Sequence, residues 1–359
     1  MKKHLILAIL SLGCLFSCTK SDEDPRLVVI TIDGFRWQEI FNGADTTLLN
    51  SLDFVPETWE LNQYFRRESP KEARELLYPF LWSSVREHGY ILGNRSLGCK
   101  VDDANDKWYS YPCYCEMFSG LADNSIDTNN PVENVHHNVL EAANRDPRYK
   151  GSVMALTSWE SIRWAFANER AGIPASSGRE PCFLQTPQTA MLMGFDSGFP
   201  DLFDYSERHD LVTYGYAMEI LKELHPKVFY IGFGDTDVWG HAKKYDSYLR
   251  TAQATDGYIR QIVEYCESDP FYKGRTTYMI LCDHGRGQDI SCFSGHGRSC
   301  PGSGQIWFAA FGNKVPVLGE VAQEGQYYLK QLAPTIASVL GIDYAPDDGS
   351  KCEAFPINK

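Results

Sequence analysis

The sequence is short of positive charge. Its 359 residues contain 34 lysines and arginines against 47 aspartates and glutamates, so the formal net charge at pH 7 is −13. Proteins that bind a nucleic-acid duplex need a basic surface facing the phosphates, and duplex binding is therefore not expected. The acidic balance does not exclude a small anionic substrate, because bound metal ions can reverse the local field.

Three other features are missing. The chain has no apolar run long enough to span a bilayer, no C-x-x-C pair of the kind that holds structural zinc, and no internal repeat or low-complexity segment. Hydrophobic residues make up 43% of the sequence and charged residues 23%, as in ordinary globular proteins. The length allows one large domain or two ordinary ones.

The N-terminus has the pattern of a targeting signal. Two lysines precede the 12-residue apolar run Leu5–Phe16, which has the length of a signal-peptide core. The following Ser17-Cys18 resembles the end of a bacterial lipobox, so we predict a signal peptide over residues 1–17 and lipidation of Cys18. Cys14 is a weaker candidate for lipidation, and a plain secretory signal is the alternative.

The predicted export has consequences for location and for cysteine chemistry. Residues 18–26 would be the lipidated cysteine and an acidic tether, and the protein would be an outer-membrane lipoprotein of the cell envelope, anchored through Cys18 and facing the periplasm or the surface. An oxidising compartment permits disulfides. Nine cysteines remain beyond the anchor, an odd number whose pairing the sequence does not give: Cys99, Cys113, Cys115, Cys182, Cys266, Cys282, Cys292, Cys300 and Cys352.

Strand-like and helical patterns alternate along residues 27–359, the predicted catalytic domain. Short apolar runs rich in β-branched or aromatic residues predict strands at Leu27–Ile32, Ser152–Leu156, Val228–Phe233, Thr276–Leu281 and Ile306–Phe311. Helices are predicted at Tyr78–Glu87, Pro131–Asn144, Leu211–Leu224, Tyr245–Glu267 and Tyr328–Leu340. The alternation predicts an α/β fold with a mainly parallel central sheet flanked by helices. Residues 168–206, rich in Gly, Pro and Ser, predict a small cap or insertion.

Acidic residues and histidines follow several predicted strands. Asp33 and Asp283-His284 come directly after strands, and Asp237 and His241 are spaced four apart, which on a helical turn places them on one face. Asp235 competes with Asp237 for this role, although its spacing to His241 is wrong for one helical face. Ligands bind beyond the carboxyl ends of strands in such folds.

These side chains, together with His296 between two glycines, have the chemistry of transition-metal ligands. Three carboxylates and three imidazoles suit two borderline divalent ions, zinc first and manganese second, rather than calcium. Each residue alone has a structural explanation: a strand-end aspartate often caps a helix, and a loop histidine often bonds backbone. Their coincidence at the ends of one predicted sheet indicates a dinuclear site suited to a phosphate ester.

Ser110 is the candidate nucleophile. It precedes a short helical pattern with Pro112 in its first turn and Gly120 after its end. An oxygen at a helix N-terminus feels the positive end of the helix dipole, and a nearby metal ion would lower its pKa further. A serine that only caps the helix is the structural alternative.

These motifs resemble the alkaline phosphatase superfamily, and most closely its nucleotide pyrophosphatase/phosphodiesterase branch. The resemblance lies in Asp33-Gly34, in Ser110-x-Pro112, in Asp237-x-x-Gly-His241, in Asp283-His284-Gly285 and in His296. It implies a three-layer core, with one ion held by Asp237, His241 and His296, and the other by Asp33, Ser110, Asp283 and His284. Arg286 and Arg298, adjacent to the ligand motifs, are weaker candidates for contacts with the substrate.

The resemblance implies a phosphoric-ester hydrolase, with diesters or pyrophosphates slightly ahead of monoesters. Trp37, Trp239 and Trp307 lie near the motifs and slightly favour a pocket for a base or an aryl group. Cys113 departs from the branch, which usually has Asn there. Tyr114 stands where sulfatases need Arg for maturation of their nucleophile. A phosphomutase-like enzyme, a sulfatase-like enzyme and a surface binding lipoprotein with an impaired site are the alternatives.

Overall fold

A computed structural model describes residues 24–198 and 206–358. The predicted signal peptide and Cys18 lie outside these ranges and remain predictions. The strands are β1 (Arg26–Ile32), β2 (Gly89–Leu92), β3 (Cys99–Asp102), β4 (Val153–Thr157), β5 (Ala175–Ser177), β6 (Val228–Phe233), β7 (Thr276–Leu281), β8 (Gln305–Ile306), β9 (Phe308–Gly312), β10 (Gly319–Glu320) and β11 (Gly325–Tyr328).

Fourteen α-helices occur within the described ranges. They are α1 (Trp37–Asn42), α2 (Thr46–Leu49), α3 (Thr58–Phe65), α4 (Pro70–Leu77), α5 (Pro79–His88), α6 (Ser110–Ser119), α7 (Val139–Arg145), α8 (Ile162–Ala165), α9 (Asn168–Ala171), α10 (Pro187–Gly198), α11 (Asp210–Glu223), α12 (Asp235–His241), α13 (Tyr245–Ser268) and α14 (Leu332–Leu340). None of the helices in the part of the chain that the structure describes combines the length and the apolarity needed to cross a membrane.

Eight strands form the main sheet, in the order β10-β2-β9-β7-β1-β6-β4-β5. All neighbouring pairs are parallel except the two that β9 makes, with β2 and β7. The predicted mainly parallel sheet is therefore confirmed. A second sheet has three strands, in the order β11-β3-β8.

The central strands β1, β4, β6 and β7 have every residue buried, which is why their sequences read as continuous apolar runs rather than as alternating ones. Two polar groups inside these strands pair with each other: the Thr31 hydroxyl lies 2.7 Å from the Tyr230 hydroxyl. Helices α4, α5, α11 and α12 all pack against α13, and a second set of connected helices consists of α6, α7, α8, α9 and α14. The sheet flanked by these helices is the three-layer arrangement that the resemblance implies.

Two predicted elements differ from the structure. The helix predicted from Pro131 begins only at Val139, because the Asn138 side chain caps it by accepting a hydrogen bond from the backbone of Glu141. The strand predicted over Ile306–Phe311 is divided at Trp307 into β8 of the small sheet and β9 of the main sheet. The Trp307 indole donates to the carbonyl of Phe35 at 2.9 Å.

The segment predicted as a cap, residues 168–206, contributes to the main sheet as well. Its strand β5 pairs with β4 and forms the sheet edge. Its helix α10 packs against α11. The described part of this segment is thus partly an extension of the sheet.

Candidate active site

The predicted ligands meet at one edge of the main sheet. Strands β1, β6 and β7 are adjacent and parallel, so their carboxyl ends lie side by side along the same end of the sheet. Asp33 follows β1, Asp283 and His284 follow β7, and α12 starts directly after β6. The sequence brings these side chains together because each motif immediately follows a buried strand.

Asp33, Asp283 and His284 form the first group of potential ligand atoms, all within 4.8 Å of one another. The His284 Nε2 atom lies 3.4 Å from Asp33 Oδ1 and 3.5 Å from Asp283 Oδ2. The Ser110 hydroxyl lies 3.1 Å from the same Nε2 and donates to Asp33 Oδ1 at 3.5 Å. These are the four residues that the resemblance assigns to one ion.

Asp237, His241 and His296 form the second group. The His241 Nε2 atom is 3.0 Å from Asp237 Oδ2 and 3.0 Å from His296 Nε2, so the four-residue spacing on α12 does place carboxylate and imidazole together. His296 Nε2 lies 4.0 Å from Asp237 Oδ1. His284 is also within ligand distance of Asp237 and His296, so the two groups adjoin.

Asp235 is directed elsewhere. Its Oδ1 accepts a hydrogen bond from the backbone N–H of Asp210, at the start of α11. Asp210 in turn accepts from the backbone N–H groups of Gly234 and Asp235 at 2.8 and 3.1 Å. This exchange ties the turn after β6 to α11, which leaves Asp237 as the aspartate of this turn that faces the histidines.

Two histidines are oriented as metal ligands usually are. His284 Nδ1 donates to the carbonyl of Gly285 at 2.9 Å, and His241 Nδ1 donates to the carbonyl of Ser294 at 3.0 Å. A hydrogen bond from Nδ1 fixes the ring and leaves Nε2 as the ligating atom. In both residues Nε2 faces the carboxylates described above.

An unsatisfied buried atom supports the fit to metal ions. Asp283 is fully buried, yet its Oδ2 accepts no hydrogen bond within the described residues. Burying such atoms without partners is costly. Two divalent cations would satisfy the facing carboxylates and imidazoles, whose nitrogen and oxygen atoms suit zinc or manganese.

Burial and mutual proximity shift the titration of the ligands. Burial, with Asp33 and Asp237 nearby, raises the pKa of Asp283 well above its usual range, and burial with the Asp237 charge raises the pKa of Asp33. Burial disfavours the charged form of His284, but the adjacent Asp283 and Asp33 outweigh it and raise its pKa to about 10. Such shifts at a strand-end cleft are typical of functional sites.

The Ser110 side chain is held at the first turn of α6. Ser110 is the first residue of this ten-residue helix, which ends at Gly120 with φ of 67°. Its hydroxyl contacts His284 and Asp33 and makes no capping bond to the helix backbone. The capping alternative therefore does not describe this serine, whose oxygen combines a helix N-terminus with the predicted metal cage.

Tyr114, one turn along α6, also faces the site. Its hydroxyl donates to Asp33 Oδ2 at 3.0 Å, and its ring is buried. The residue at the position where a sulfatase would carry arginine thus orients the Asp33 carboxylate.

The turn after β1 requires glycine. Gly34 has φ of +60°, and a Cβ built there would lie 2.4 Å from Asp237 Oδ1. Both the backbone conformation and the close approach exclude a side chain. The Gly34 N–H donates to Asp283 Oδ1 at 3.0 Å, so this turn also fixes a predicted ligand.

Arg286 lies behind Asp237 rather than in a cavity. Its side chain is fully buried, its Nη1 contacts Asp237 Oδ1, and its Nε donates to the carbonyl of Phe293 at 2.6 Å. Gly240 leaves room for it, since a Cβ there would lie 2.4 Å from Arg286 Nε. Burial disfavours ionisation of Asp237, but Arg286 and His241 outweigh this and hold its pKa well below the usual range.

Arg298, the other arginine predicted to contact substrate, pairs with Asp106. Its Nε donates to the carbonyl of Asp106 at 2.7 Å, and its side chain is 55% exposed. Neither Arg298 nor Arg286 is among the described residues that line the cavity at the ligands.

That cavity has a volume of about 160 Å³. Its described lining consists of Asp33, Ser110, Asn129, Trp159, Ser206, Glu207, Gly234, Asp237, His241 and His296. No lysine or arginine is among these residues. The cavity therefore presents the hydroxyl of Ser110 and the predicted ligands on one side, and amide, aromatic, hydroxyl and carboxyl groups on the other.

Sequence reasoning missed Asn129, Trp159 and Glu207. Asn129 accepts a hydrogen bond from the backbone N–H of Tyr111 at 3.0 Å, which places it beside the first turn of α6. Trp159 follows the end of β4, a position that the strand-end rule could have found. Burial and the nearby Asp237 and Asp33 raise the pKa of Glu207 to about 9.

The three tryptophans that the sequence suggested for a substrate pocket are not among the described residues lining the cavity. Trp307 is fully buried in the core, and the Trp37 indole donates to the side-chain amide oxygen Oε1 of Gln305 at 3.0 Å. Trp239 packs against the hydrophobic core. The aromatic residue in the described cavity lining is Trp159.

Comparison with solved structures supports the same fold. Alkaline phosphatase PafA superimposes with a TM-score of 0.54 at 8% identity, covering 89% of this chain and 96% of that one. The lipoteichoic acid synthase LtaP from Listeria monocytogenes gives 0.54 at 11% identity, with 90% and 73% covered. A 2-O GAG sulfatase gives 0.52 at 10% identity, with 90% and 72% covered.

The chain thus has the fold of the alkaline phosphatase superfamily, as its motifs indicate. The similar structures bear the names of a phosphatase, a lipoteichoic acid synthase and a sulfatase, so the fold is shared by proteins of different reactions. The sequence matches no protein-family model and no curated protein. Any particular activity must therefore be argued from the site.

Proposed function

We propose that this protein is a phosphoric-ester hydrolase that uses Ser110 as nucleophile and two divalent metal ions, most simply zinc, with manganese as the alternative. The observation that carries the proposal is the position of the Ser110 hydroxyl, 3.1 Å from His284 Nε2 and 3.5 Å from Asp33 Oδ1. A nucleophile at the ligand cage and at a helix N-terminus is the arrangement that covalent phosphoryl transfer needs.

The side chains suggest a two-step reaction. Asp237, His241 and His296 would hold one ion, and Asp33, Ser110, Asp283 and His284 the other. When bound, these ions lower the pKa of hydroxyl and water and stabilise negative charge on the phosphoryl oxygens. Ser110 Oγ attacks phosphorus, loses its proton and forms a new O–P bond, while the ester bond breaks and the alcohol leaves with a proton. Water then breaks the Oγ–P bond and restores the Ser110 hydroxyl, releasing a phosphate monoester when the substrate is a diester, or phosphate when it is a monoester.

Other residues would position the substrate. The N-terminal backbone of α6 favours the negative charge that develops near Ser110. Asn129 uses its Oδ1 for the Tyr111 N–H, so its amide Nδ2 is the end that would donate to a phosphoryl oxygen. Trp159 would form an apolar wall for the group on the other side of the ester.

The cavity favours a diester or pyrophosphate over a monoester. A monoester dianion carries an additional charge that a neighbouring lysine or arginine would usually meet, and neither occurs among the described lining residues. Trp159 offers apolar surface to a second substituent. We therefore propose that a monoanionic phosphodiester with an aryl or base-like group is the better substrate class.

The proposed partners follow from this class. The substrate would be a small anionic phosphate ester, and the membrane would be reached through a lipid on Cys18, in the envelope location predicted above. Labelling of cells with a radioactive fatty acid tests the anchor: the wild-type chain would be labelled, and the Cys18→Ala chain would not.

The reaction class is tested by comparing three esters of the same phenol: a bis-aryl phosphate, a mono-aryl phosphate and an aryl sulfate. With zinc or manganese bound, we expect the turnover rate to be highest for the diester, lower for the monoester and lowest for the sulfate. Preference for the sulfate would overturn the reaction class and favour the sulfatase-like alternative. Stoichiometric metal without turnover of any of the three esters would support the binding-protein alternative. The mutase-like alternative needs a separate assay with a sugar phosphate, and transfer of phosphate between two positions of that sugar would support it.

Two variants test the residue roles. Ser110→Ala should abolish turnover of the aryl phosphates while leaving the metal content nearly unchanged, because the other ligands remain. Asp283→Ala should lower both metal content and turnover. Unchanged turnover in Ser110→Ala would reject the nucleophile assignment.

A further inference from the structure

The loop from Cys292 to Cys300 carries part of the second ligand group. His296 stands in the middle of this loop, with its Nε2 3.0 Å from His241 Nε2. The carbonyl of Ser294, in the same loop, accepts the hydrogen bond from His241 Nδ1 at 3.0 Å. The conformation of this one loop therefore positions two of the three side chains proposed to hold one ion.

The two ends of the loop are adjacent in space. The nearby Cys300 side chain raises the pKa of the Cys292 thiol to about 11. Cys300 Sγ lies 4.0 Å from the carbonyl oxygen of Cys292. Backbone bonds from Gly295 N–H to the Cys292 carbonyl, at 2.8 Å, and from Cys300 N–H to the Gly297 carbonyl, at 2.9 Å, fold the chain back on itself.

This proximity favours a disulfide. Bridged cysteines need side chains that approach each other at short range, and the 4.0 Å approach of Cys300 Sγ to the Cys292 carbonyl oxygen places the two residues side by side. Both residues are free thiols in the structure; Cys300 is 9% exposed and Cys292 is partly exposed, so an oxidant can approach the Cys292 sulfur. The predicted export would bring the pair into a compartment where disulfides form and persist.

We propose that Cys292 and Cys300 form an intramolecular disulfide in the exported protein, and that this bond fixes the loop presenting His296. The oxidant is a disulfide, either of a dithiol oxidoreductase or of a small thiol. The Cys292 thiolate attacks one sulfur of the oxidant and forms a mixed disulfide, and the Cys300 thiolate then displaces the second sulfur. Two cysteines lose two protons and two electrons, and the oxidant is reduced to two thiols that take up those protons.

Trypsin separates the two cysteines, which makes the bond directly measurable. Cleavage after Arg286, Arg298 and Lys314 places Cys292 in peptide 287–298 and Cys300 in peptide 299–314. The purified full chain is incubated with oxidised glutathione, its remaining thiols are alkylated, and it is digested without reduction. We expect the two peptides as one linked species, 2 Da lighter than their sum, which separates on reduction.

Matched variants serve as controls. Cys352→Ser removes another partly exposed cysteine and should leave the linked species unchanged, whereas Cys292→Ser should abolish it and leave Cys300 alkylated. Recovery of both wild-type peptides in alkylated form after oxidation would overturn the proposal. A link from either cysteine to a different one would overturn it equally.

The second half of the proposal, that the bond supports the metal cage, rests on the proposed function. We expect reduction of the zinc-loaded wild type with a phosphine to speed release of one zinc ion to a chelator by about tenfold, the lower end of what losing an outer support costs a ligand. Equal release from both forms would overturn this half. A chain that forms the linked peptides but binds no zinc would contradict the proposed function and leave the disulfide standing.

Discussion

Replacing Arg286 by methionine tests whether this arginine supports the ligand Asp237 or binds substrate. The side chain is fully buried, contacts Asp237 Oδ1 and donates to the Phe293 carbonyl at 2.6 Å. Methionine fills similar space but leaves the Asp237 carboxylate without this positive partner. Removing one member of a buried ion pair costs about 3–5 kcal/mol, because the remaining charge is poorly solvated.

We therefore expect Arg286→Met to lower the free energy of unfolding of the metal-free protein by about 3–5 kcal/mol. Urea unfolding followed in parallel by tryptophan fluorescence and circular dichroism measures this difference. Saturating zinc should narrow the gap between the variant and the wild type, since an ion bound at Asp237 supplies the missing positive charge.

Arg298→Met is the matched control, because Arg298 is also an arginine beside a ligand motif but is 55% exposed and paired with Asp106. Its replacement should cost about 0–1 kcal/mol. Equal small losses in the two variants would refute the role assigned to Arg286. A raised KM for aryl phosphate with unchanged zinc affinity would identify Arg286 as a substrate-binding residue instead.

Three further predictions follow from the site. His284 should be protonated in the metal-free protein, because its pKa is raised to about 10. Its contribution to the free energy of unfolding is complete below pH 6.5 and is lost as the pH rises through 10. Zinc must displace that proton, together with any proton held by Asp283, whose pKa is also raised. Calorimetry at pH 8 in buffers of different ionisation enthalpy should therefore show release of at least one proton per chain, and no release would contradict the ligand assignment. Trp159→Ala should raise KM for the bis-aryl phosphate by about 2- to 10-fold, as expected for loss of an aromatic contact. KM for a small alkyl ester should stay nearly unchanged. Equal increases in KM for both esters would argue against a role of Trp159 in binding the aryl group. Gly34→Ala should lower the free energy of unfolding by about 1–2 kcal/mol from backbone strain alone. It should also weaken zinc binding, because the Cβ of the new alanine would lie 2.4 Å from Asp237 Oδ1. Unchanged zinc affinity would show that this turn tolerates a side chain.

The sequence predicts that Asp33, Asp237, Asp283 and His284 lie close together because each directly follows, or lies one turn from, a buried strand. Asp33 and Asp283 each follow a strand whose every residue is buried, so the strand is visible as an apolar run and its end can be read directly. Parallel neighbours then bring these ends together. His296 lies in a loop without a periodic pattern, so its residue type between two glycines and its coincidence with the other candidates are what included it in the predicted site.

The remaining cavity residues were not predictable for a physical reason. Asn129 and Glu207 lie in loops, whose positions are set by long-range packing and not by local periodicity. The sequence also does not show in which direction a side chain points. Arg286 directly follows a ligand motif, yet its side chain contacts Asp237 in the space that Gly240 leaves open. Proximity in sequence showed that this arginine belongs to the site but not which surface it contacts.

The most direct test of the central claim is the position of the metal ions themselves. Crystals of the zinc-loaded protein, measured at the zinc absorption edge, would give the ions as anomalous scattering peaks. We expect two peaks, one among Asp33, Asp283 and His284 with Ser110 Oγ in contact, and one among Asp237, His241 and His296. Zinc bound elsewhere, or no zinc at these residues, would contradict the dinuclear site.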